Sequence, residues 1–326
     1  MATQTSQSDR SDGPQAPVEP TGARTITAAL LRHVGTLAEA CGATAIFVYV
    51  DALHDEPLPL PESLKPKVYY VTKTPDQEQH ETERGGRCLR VPNVALSRMG
   101  QVKIAIFLAL SRGLIRRGDR VVFLSGLSGS GELDTVVVIE VGREYEMLCP
   151  DTTDAADCPD VQPQVLSRVI DIASELGSEG REGKPVGALF IVGDTEHVLP
   201  LTRQLILNPF AGYPAEKRNV LDESLTETIK ELATIDGAFI IRADGTIESC
   251  GTYLKTASQK EFELPQGLGA RHHAAAAITS VTRCLAVTVS ESTGTVTVFR
   301  NGAIVTDIER PRSLGRRVSP GSPKSE

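Results

Sequence analysis

The chain contains no tryptophan and few aromatic residues of any kind, so its core must be built from smaller side chains. Aromatic residues make up 4% of the 326 residues, whereas hydrophobic residues as a whole make up 40%. A core of Val, Ile, Leu and Ala is therefore expected. No apolar run approaches the roughly 18 residues needed to cross a bilayer, and a membrane span is not predicted.

An excess of basic residues is also absent. The 34 Lys and Arg are outnumbered by 42 Asp and Glu, which leaves a net charge of -8. Broad affinity for a nucleic-acid backbone is disfavoured, because such proteins usually present a basic face. Any anionic ligand must then be bound at a local site. The six cysteines form no CxxC pair, and no secretory apolar segment is present, so reduced thiols in a cytoplasmic protein are expected.

The pattern along the chain predicts two α/β domains between disordered tails. Residues 1–24 and 311–326 are polar and rich in Ser, Pro and Gly, with too little apolar surface to offset their ordering entropy. Between them, amphipathic helical patterns alternate with Val- and Ile-rich runs, which indicates α/β layers. The acidic segment 149–164 contains three prolines and is predicted to link a domain over 25–148 to a second domain over 165–310.

The segment "GLGARHHAAAAIT", residues 267–279, is a candidate for ligand binding. Its glycines permit tight backbone geometry and its alanines favour a helix, so Ala270 to His273 should lie near a helix N-terminus. Free backbone N–H groups, the helix dipole, Arg271 and the imidazoles of His272 and His273 would converge there. This indicates a polyphosphate site. The alternative is an ordinary loop-to-helix junction with polar surface residues.

Two carboxylates could supply the metal ligands that triphosphate chemistry requires. Asp236 lies between a helical and a strand pattern and is followed by a glycine, and Glu291 lies beside Ser290 where a strand pattern ends. Each acid alone is more typical of a turn or a cap. Together with a helix N-terminus they form a stronger candidate.

A second glycine-rich loop, residues 126–131, fits the first half of a Walker A phosphate-binding motif. Glu132 and Leu133 then follow, where that motif requires Lys and Ser or Thr. A turn between two strands is predicted instead.

Three motifs occur in the order and with the approximate spacing of the diadenylate cyclase (DAC, or DisA_N) domain. They are "DGA" at 236–238, "GARHH" at 269–273 and "SESTG" at 290–294, which resemble the family's DGA, G-T-R-H-R and S-E-x-T-G. The upstream "GKPVGALFIVGD" and "NPFAGY" are similar as well, so the resemblance covers roughly residues 166–304. It implies a mixed β-sheet flanked by helices.

The resemblance also implies a reaction, the condensation of two ATP into cyclic di-AMP and two pyrophosphates with Mg²⁺ or Mn²⁺. By this resemblance Asp236 and Glu291 bind the metal, and Asp236 helps to activate the ribose 3′-OH. Arg271 and His272 hold phosphates, which completes a catalytic set of four. The implied nucleotide-binding residues are Gly237, Ala238, Leu254, Gly269, Ala270, His273 and Ser290.

Two positions depart from the family pattern. Ala270 replaces its threonine and His273 replaces its second arginine; a histidine cannot bind a phosphate with two parallel hydrogen bonds as arginine does. A sensor that binds ATP or cyclic di-AMP without turnover therefore remains an alternative. DNA scanning, known in one branch of the family, is disfavoured because no helix-hairpin-helix pattern or basic patch follows residue 304.

The implied reaction also requires assembly. Each ATP must present its 3′-OH to the α-phosphate of the other, which one domain holding one ATP cannot arrange. A homodimer with face-to-face domains, or a larger oligomer of such dimers, is expected.

Residues 25–147 resemble the C-terminal α/β domain of pyruvate kinases, which precedes the cyclase unit in archaeal-type diadenylate cyclases. By fold analogy alone this implies a regulatory or oligomerising role. Kinase activity is not implied, because the catalytic barrel of that enzyme is absent.

Overall fold

The computed structural model describes residues 22–52, 62–127, 130–143, 161–255, 264–265 and 267–308. Within these ranges the chain forms two mixed β-sheets flanked by helices, which confirms the predicted α/β class. The predicted C-terminal tail and nearly all of the predicted N-terminal tail and linker lie outside the described residues.

The first sheet has five strands and contains the N-terminal part of the chain. They are β1 (Ala45–Tyr49), β2 (Val68–Thr72), β3 (Arg87–Arg90), β4 (Arg120–Ser125) and β5 (Thr135–Glu140). The spatial order is β3-β2-β1-β4-β5. The first four strands pair in parallel and β5 closes the sheet antiparallel to β4. Runs of β-branched and aromatic residues such as "AIFVY" in β1 and "RVVFLS" in β4 favour a buried sheet.

Three helices pack on this sheet: α1 (Gly22–Ala40), α2 (Pro75–Glu83) and α3 (Arg98–Ser111). Helix α1 begins three residues inside the predicted tail. Helix α3 starts after Ser97, whose hydroxyl accepts a hydrogen bond from the N–H of Gly100. Helix α2 was not predicted, because it has little apolar character; its signal is the capping box formed by Thr74 and Gln77, with Pro75 between them in the first turn.

The second sheet has seven strands. They are β6 (Ala188–Val192), β7 (Thr202–Gln204), β8 (Ala238–Ile241), β9 (Ile247–Leu254), β10 (Leu285–Val289), β11 (Val296–Arg300) and β12 (Ala303–Ile308). The spatial order is β12-β11-β10-β6-β8-β9-β7, and β6 pairs in parallel with β8. The other neighbours are antiparallel. Residues 242–245 form the turn between β8 and β9, closed by the Gly245 N–H, which donates to the Arg242 carbonyl at 3.0 Å; the pair Asp244-Gly245 in this turn is typical of hairpins. The three-residue β7 was not predicted.

Helices cover both faces of the second sheet. They are α4 (Pro163–Glu179), the short α5 (Thr195–Val198), α6 (Thr226–Leu232) and α7 (Ala270–Val281). Alternate residues of the central strand β6 face opposite ways. Leu189 and Ile191 pack in the cluster that contains the alanines of α7, whereas Phe190 and Val192 pack in the cluster that contains α4. Arg271 in the first turn of α7 lies against Gly187, so this turn lies above the N-terminal end of β6.

The two sheets share one continuous hydrophobic cluster through α3 and α4. An ion pair between Lys103 Nζ of α3 and Asp307 Oδ1 of β12, at 2.7 Å, adds a polar contact. Helix α4 begins at Pro163, within the segment predicted as a linker.

The four described cysteines, Cys41, Cys88, Cys250 and Cys284, are free thiols; Cys149 and Cys158 lie outside the described residues. None of the helices in the described ranges has both the length and the apolar composition needed to cross a membrane.

Candidate active site

Helix α7 begins at Ala270 with Gly269 as its N-cap, as the sequence predicts. The N–H groups of His272 and His273 donate to the carbonyl of Gly269 at 3.0 and 3.3 Å. The N–H groups of Ala270 and Arg271 belong to the first turn, where the helix supplies no acceptor. No side chain caps this end in the described structure. These two donors and the helix dipole therefore remain available to an anion.

Arg271 lies between two carboxylates. Its Nη2 is 3.5 Å from Asp236 Oδ1, and its Nη1 is 3.4 Å from Glu291 Oε2. The side chain of Asp236 is 93% exposed and that of Glu291 is 64% exposed, whereas the Arg271 side chain is 31% exposed. Because both carboxylates are largely exposed, they are accessible to a ligand, and exposed ion pairs of this kind contribute little to stability. The structure thus brings together three of the four residues predicted to be catalytic.

Sheet register explains why these residues meet. Ala188 of β6 pairs with Val289 of β10, so continuing this register by one residue places Gly187 opposite Ser290. Phe190 of β6 pairs with Phe239 of β8, so continuing by three residues places Gly187 level with Asp236. The N-terminal end of the central strand is therefore flanked by Asp236 on one side and by the Ser290–Glu291 turn on the other.

Gly187 itself was missed by the sequence analysis. A Cβ atom at this position would lie 2.6 Å from Arg271 Nη1, 3.1 Å from Arg271 Cζ and 3.1 Å from Glu291 Cβ. The guanidinium thus occupies the space that a side chain would fill. Gly187 lies in the quoted segment "GKPVGALFIVGD", but nothing in that segment reveals what lies above it.

The three residues of the DGA segment, 236–238, have different structural environments. Asp236 faces solvent, and Gly237 has φ of +114°, a conformation open to glycine. A Cβ on Gly237 would lie 2.5 Å from the backbone nitrogen of Thr252, so glycine also permits the close approach to β9. Ala238 then enters the core with 1% exposure and pairs with Thr252. The motif carries the chain from an exposed acid into a central strand.

Strand β9 is irregular beside this segment. Gly251 has φ of +63°, and the register with β8 shifts on either side of Ile240. Buried hydroxyls tie the strand to β7, since Thr252 Oγ1 donates to Gln204 Oε1 at 3.0 Å. Leu254, at the end of β9, packs in the cluster beneath α7. Its side chain is thus occupied by the core, and the role predicted for its backbone in an adenosine pocket remains a prediction.

The turn after β10 presents Glu291. The Ser290 carbonyl accepts from the N–H of Gly294 at 2.8 Å, and the Ser290 N–H donates to the carbonyl of Thr295 at 2.9 Å. The Ser290 hydroxyl accepts from the N–H of Thr293 at 3.3 Å. These bonds hold the turn, so Glu291 projects from it toward Arg271.

The two histidines lie in different environments. His272 is 4% exposed, and its ring makes an edge contact with Phe299 of β11 at 6.0 Å. Burial lowers the pKa of His272, with smaller contributions from His273 and Arg271, which favours the neutral form of its ring. Its Nε2 has no hydrogen-bond partner in the described structure. His273 is exposed. The phosphate contacts predicted for both histidines remain predictions.

Comparisons with known proteins cover both parts of the chain. Residues 175–304, which include every candidate site residue, match the family described as DisA bacterial checkpoint controller nucleotide-binding, the DAC domain. The chain is 41% identical over 212 residues to a diadenylate cyclase of Methanocaldococcus jannaschii and 34% identical over 216 residues to one of Haloferax volcanii. These matches cover 63% and 64% of this chain. The chain belongs to the diadenylate cyclase family.

The match spans 64% of the Methanocaldococcus diadenylate cyclase and 75% of the Haloferax one. Residues 27–149 match a second family, described as the probable sensor domain DacZ_P. That family occupies the part of the chain for which a regulatory domain is predicted.

Two solved structures are also similar. DacA from Staphylococcus aureus is 21% identical, with coverage of 43% of this chain and 84% of that chain and a TM-score of 0.29. A hypothetical membrane spanning protein from Bacillus cereus is 22% identical, with coverage of 44% and 63% and a TM-score of 0.34.

The donor atoms of this diadenylate cyclase family member fit a divalent cation that binds together with a nucleotide. The described residues contain no group of three or more His, Cys, Asp and Glu side chains that could hold a metal by themselves. The carboxylates of Asp236 and Glu291, on either side of Arg271, carry the kind of oxygen donors that hard cations prefer. Mg²⁺ typically binds through one or two carboxylates, substrate phosphates and water. Such a cation is therefore expected to need the triphosphate as a further ligand.

Proposed function

We propose that the chain condenses two ATP molecules into cyclic di-AMP and releases two pyrophosphates. The observation that carries the proposal is the position of Arg271, between Asp236 and Glu291 at the open N-terminus of α7. Two relatives of 41% and 34% identity are diadenylate cyclases, and this supports the same reaction here.

The chemistry is a nucleotidyl transfer. The ribose 3′-oxygen of one ATP forms a bond to the α-phosphorus of the other, the bond from that phosphorus to the bridging oxygen breaks, and pyrophosphate leaves in line. The same exchange in the opposite sense closes the ring. Each step releases the proton of a 3′-OH, and the exposed carboxylate of Asp236 is the proposed acceptor.

The remaining residues bind and orient the triphosphate. The guanidinium of Arg271 offers a fork of N–H donors that matches phosphate geometry. The backbone N–H groups of Ala270 and Arg271 add donors at the positive end of α7. A Mg²⁺ or Mn²⁺ ion held by Asp236 and Glu291 would neutralise charge on the triphosphate and on the leaving pyrophosphate.

The reaction requires a second copy of the domain. Both 3′-OH groups must approach an α-phosphate in line with its leaving group, and the described chain has one set of Asp236, Arg271 and Glu291. Two copies meeting face to face around a two-fold axis supply both sets. The part of the chain that matches a probable sensor domain, residues 27–149, is proposed to regulate this unit.

The test is direct. Purified protein is incubated with ATP and either Mn²⁺ or Mg²⁺, and the products are separated by chromatography with mass detection. Cyclic di-AMP together with pyrophosphate is expected. Unchanged ATP with both metals, from protein shown to be folded and oligomeric, would contradict the proposal and favour the non-catalytic sensor. Ala270→Thr and His273→Arg, which restore the family's residues, would then be the first variants to test.

A further inference from the structure

Gly187 lies directly beneath the guanidinium of Arg271. A Cβ added to Gly187 would approach Arg271 Nη1 to 2.6 Å and Arg271 Cζ to 3.1 Å, with Glu291 Cβ also at 3.1 Å. Carbon and nitrogen atoms in ordinary contact are roughly 3.5 Å apart or more. The guanidinium therefore occupies space that only a glycine leaves empty.

Successive side chains of β6 point to opposite faces of the sheet, and this explains why the space at Gly187 faces α7. Leu189 and Ile191 pack in the cluster that contains Ala275, Ala276 and Ile278 of α7. Gly187 lies two residues before Leu189, so its missing side chain would point toward the same helix. The first turn of α7 lies over the N-terminal end of β6, where Arg271 contacts Gly187.

We propose that Gly187 is a positioning residue for Arg271, because the absence of a side chain lets the guanidinium lie level with Asp236 and Glu291. The contacts with Asp236 and Glu291 both depend on where the guanidinium of Arg271 lies. Nη2 is 3.5 Å from Asp236 Oδ1 and Nη1 is 3.4 Å from Glu291 Oε2. Both distances are near the limit of an ion pair, so a small displacement of the guanidinium removes at least one contact.

The atoms that a new methyl group would meet determine what moves. Arg271 Nη1 and Cζ are the far end of a long, flexible side chain, and they can move aside at little cost in folding free energy. Glu291 Cβ, at 3.1 Å, lies in the turn after β10 and has to shift much less than Nη1, which is at 2.6 Å. The backbone of β6 is held in the sheet by β10 and β8 on either side. Gly187→Ala should therefore move the guanidinium by roughly 1 Å and leave the fold and melting temperature nearly unchanged.

The catalytic consequence rests on the proposed function, whereas the geometric one does not. Misplacing a group that orients substrate by about 1 Å can reduce turnover by about 100-fold. Gly187→Ala is expected to lower kcat for cyclic di-AMP formation about 10- to 100-fold, with the melting temperature within about 2 °C of the parent protein.

Gly86 provides a matched control. A Cβ on Gly86 would lie 2.8 Å from the backbone oxygen of Glu81 and 2.8 Å from the Tyr70 ring. A backbone oxygen cannot move aside as a guanidinium can, and this glycine lies on the first sheet. Gly86→Ala should therefore show the opposite profile, with a lowered melting temperature and an unchanged kcat for the folded fraction.

The deciding measurement is a pair of crystal structures, of the parent protein and of Gly187→Ala, both without nucleotide. A displaced guanidinium above an unchanged β6 supports the inference. A guanidinium in its original place, with the strand moved instead, overturns it. This result does not depend on turnover, so failure of the inference is distinguished from failure of the proposed function, in which the parent protein forms no cyclic di-AMP.

Binding of 3′-deoxy-ATP, which lacks the attacking hydroxyl, separates positioning from general damage. Gly187→Ala should weaken this binding about tenfold when Arg271 is present and less than about twofold in an Arg271→Ala background, because the two substitutions act mainly on the same group and only the lesser contact with Glu291 Cβ remains. Equal losses in both backgrounds would contradict the inference.

Discussion

Two glycine-rich segments of this chain invite a phosphate-binding interpretation, and their surroundings differ. After β4, a Cβ on Gly126 would lie 1.7 Å from the carbonyl oxygen of Glu132, so this glycine permits one backbone to lie against another. At the start of α7, a Cβ on Gly269 would meet no described atom within 4 Å. The first glycine serves packing, whereas the second leaves a helix end open.

The arginines of the two regions also differ in how fully their hydrogen-bond donors are occupied. Arg98, at the start of α3, donates from Nε to Asp134 Oδ1 at 3.0 Å and also pairs through Nη2 with the other oxygen of that carboxylate. Arg271 instead makes two longer contacts to two separate acids. A guanidinium satisfied by one carboxylate has a structural role, whereas one loosely shared between two exposed carboxylates can be transferred to a ligand. Glycine content therefore does not identify a phosphate site unless available charge accompanies it.

The largest effect is expected from removing the charge of Asp236, compared with removing that of Glu132 in the other region. Asp236→Asn should reduce cyclic di-AMP formation about 1,000-fold, because the substitution removes both a metal ligand and the proposed proton acceptor. The fold should be retained, since this side chain is 93% exposed. The matched variant Glu132→Gln should leave turnover unchanged. Both are checked by product chromatography alongside circular dichroism; normal turnover by Asp236→Asn would show that the metal assignment is wrong.

Exchanging arginine for lysine sharpens the comparison. Arg271→Lys should lower kcat/KM about 10- to 100-fold, because an ammonium cannot reach two carboxylates or two phosphate oxygens with the planar fork of arginine. Arg98→Lys should leave kcat/KM unchanged and lower the melting temperature slightly. Steady-state kinetics at saturating metal, with thermal unfolding, gives both values. Equal loss of kcat/KM in the two variants would remove the distinction drawn between the two arginines.

The contact between the two sheets, where α4 faces residues of β3 and the end of α3, should respond to pH. Burial raises the pKa of Asp171 in α4 to about 7. The negative charge of Glu175 also raises this pKa, whereas the positive charges of Arg90, Arg168 and Arg112 lower it. Since the folded state holds this proton more tightly than the unfolded state, stability should fall as pH rises from about 4 to about 7 and then level off. Asp171→Asn should remove that fall, so that its melting temperature exceeds that of the parent by an amount that grows across this window. A constant difference across the window would contradict the assignment.

The smallest effect is expected at the exposed departure from the family pattern. His273→Arg should change kcat less than about threefold and lower KM for ATP by up to about fivefold, which is the gain typical of one exposed charge pair. KM measured at two ionic strengths checks the electrostatic origin, because the gain should shrink in high salt. Loss of activity would show that His273 has a role of its own.

Much of the local structure was predictable from local chemistry. The start of α7 follows from glycine before a run of alanines, and the turn at Asp244 and Gly245 follows from the preference of that pair for hairpins. Helix α2 was missed because its apolar pattern is weak and its capping box was overlooked. Strand β7 was missed because three residues carry no detectable period.

The sequence by itself determined which groups are available for chemistry: the exposed acid before Gly237, the arginine in the first turn of a helix and the acid after β10. These depend on residue type and on neighbours along the chain. Only the tertiary structure decided that Arg271 lies between those acids, that His272 faces Phe299 in the core and that Gly187 leaves room for the guanidinium. The reason is that sheet pairing brings together residues about 50 and 100 positions apart along the chain, and no local preference specifies those pairings.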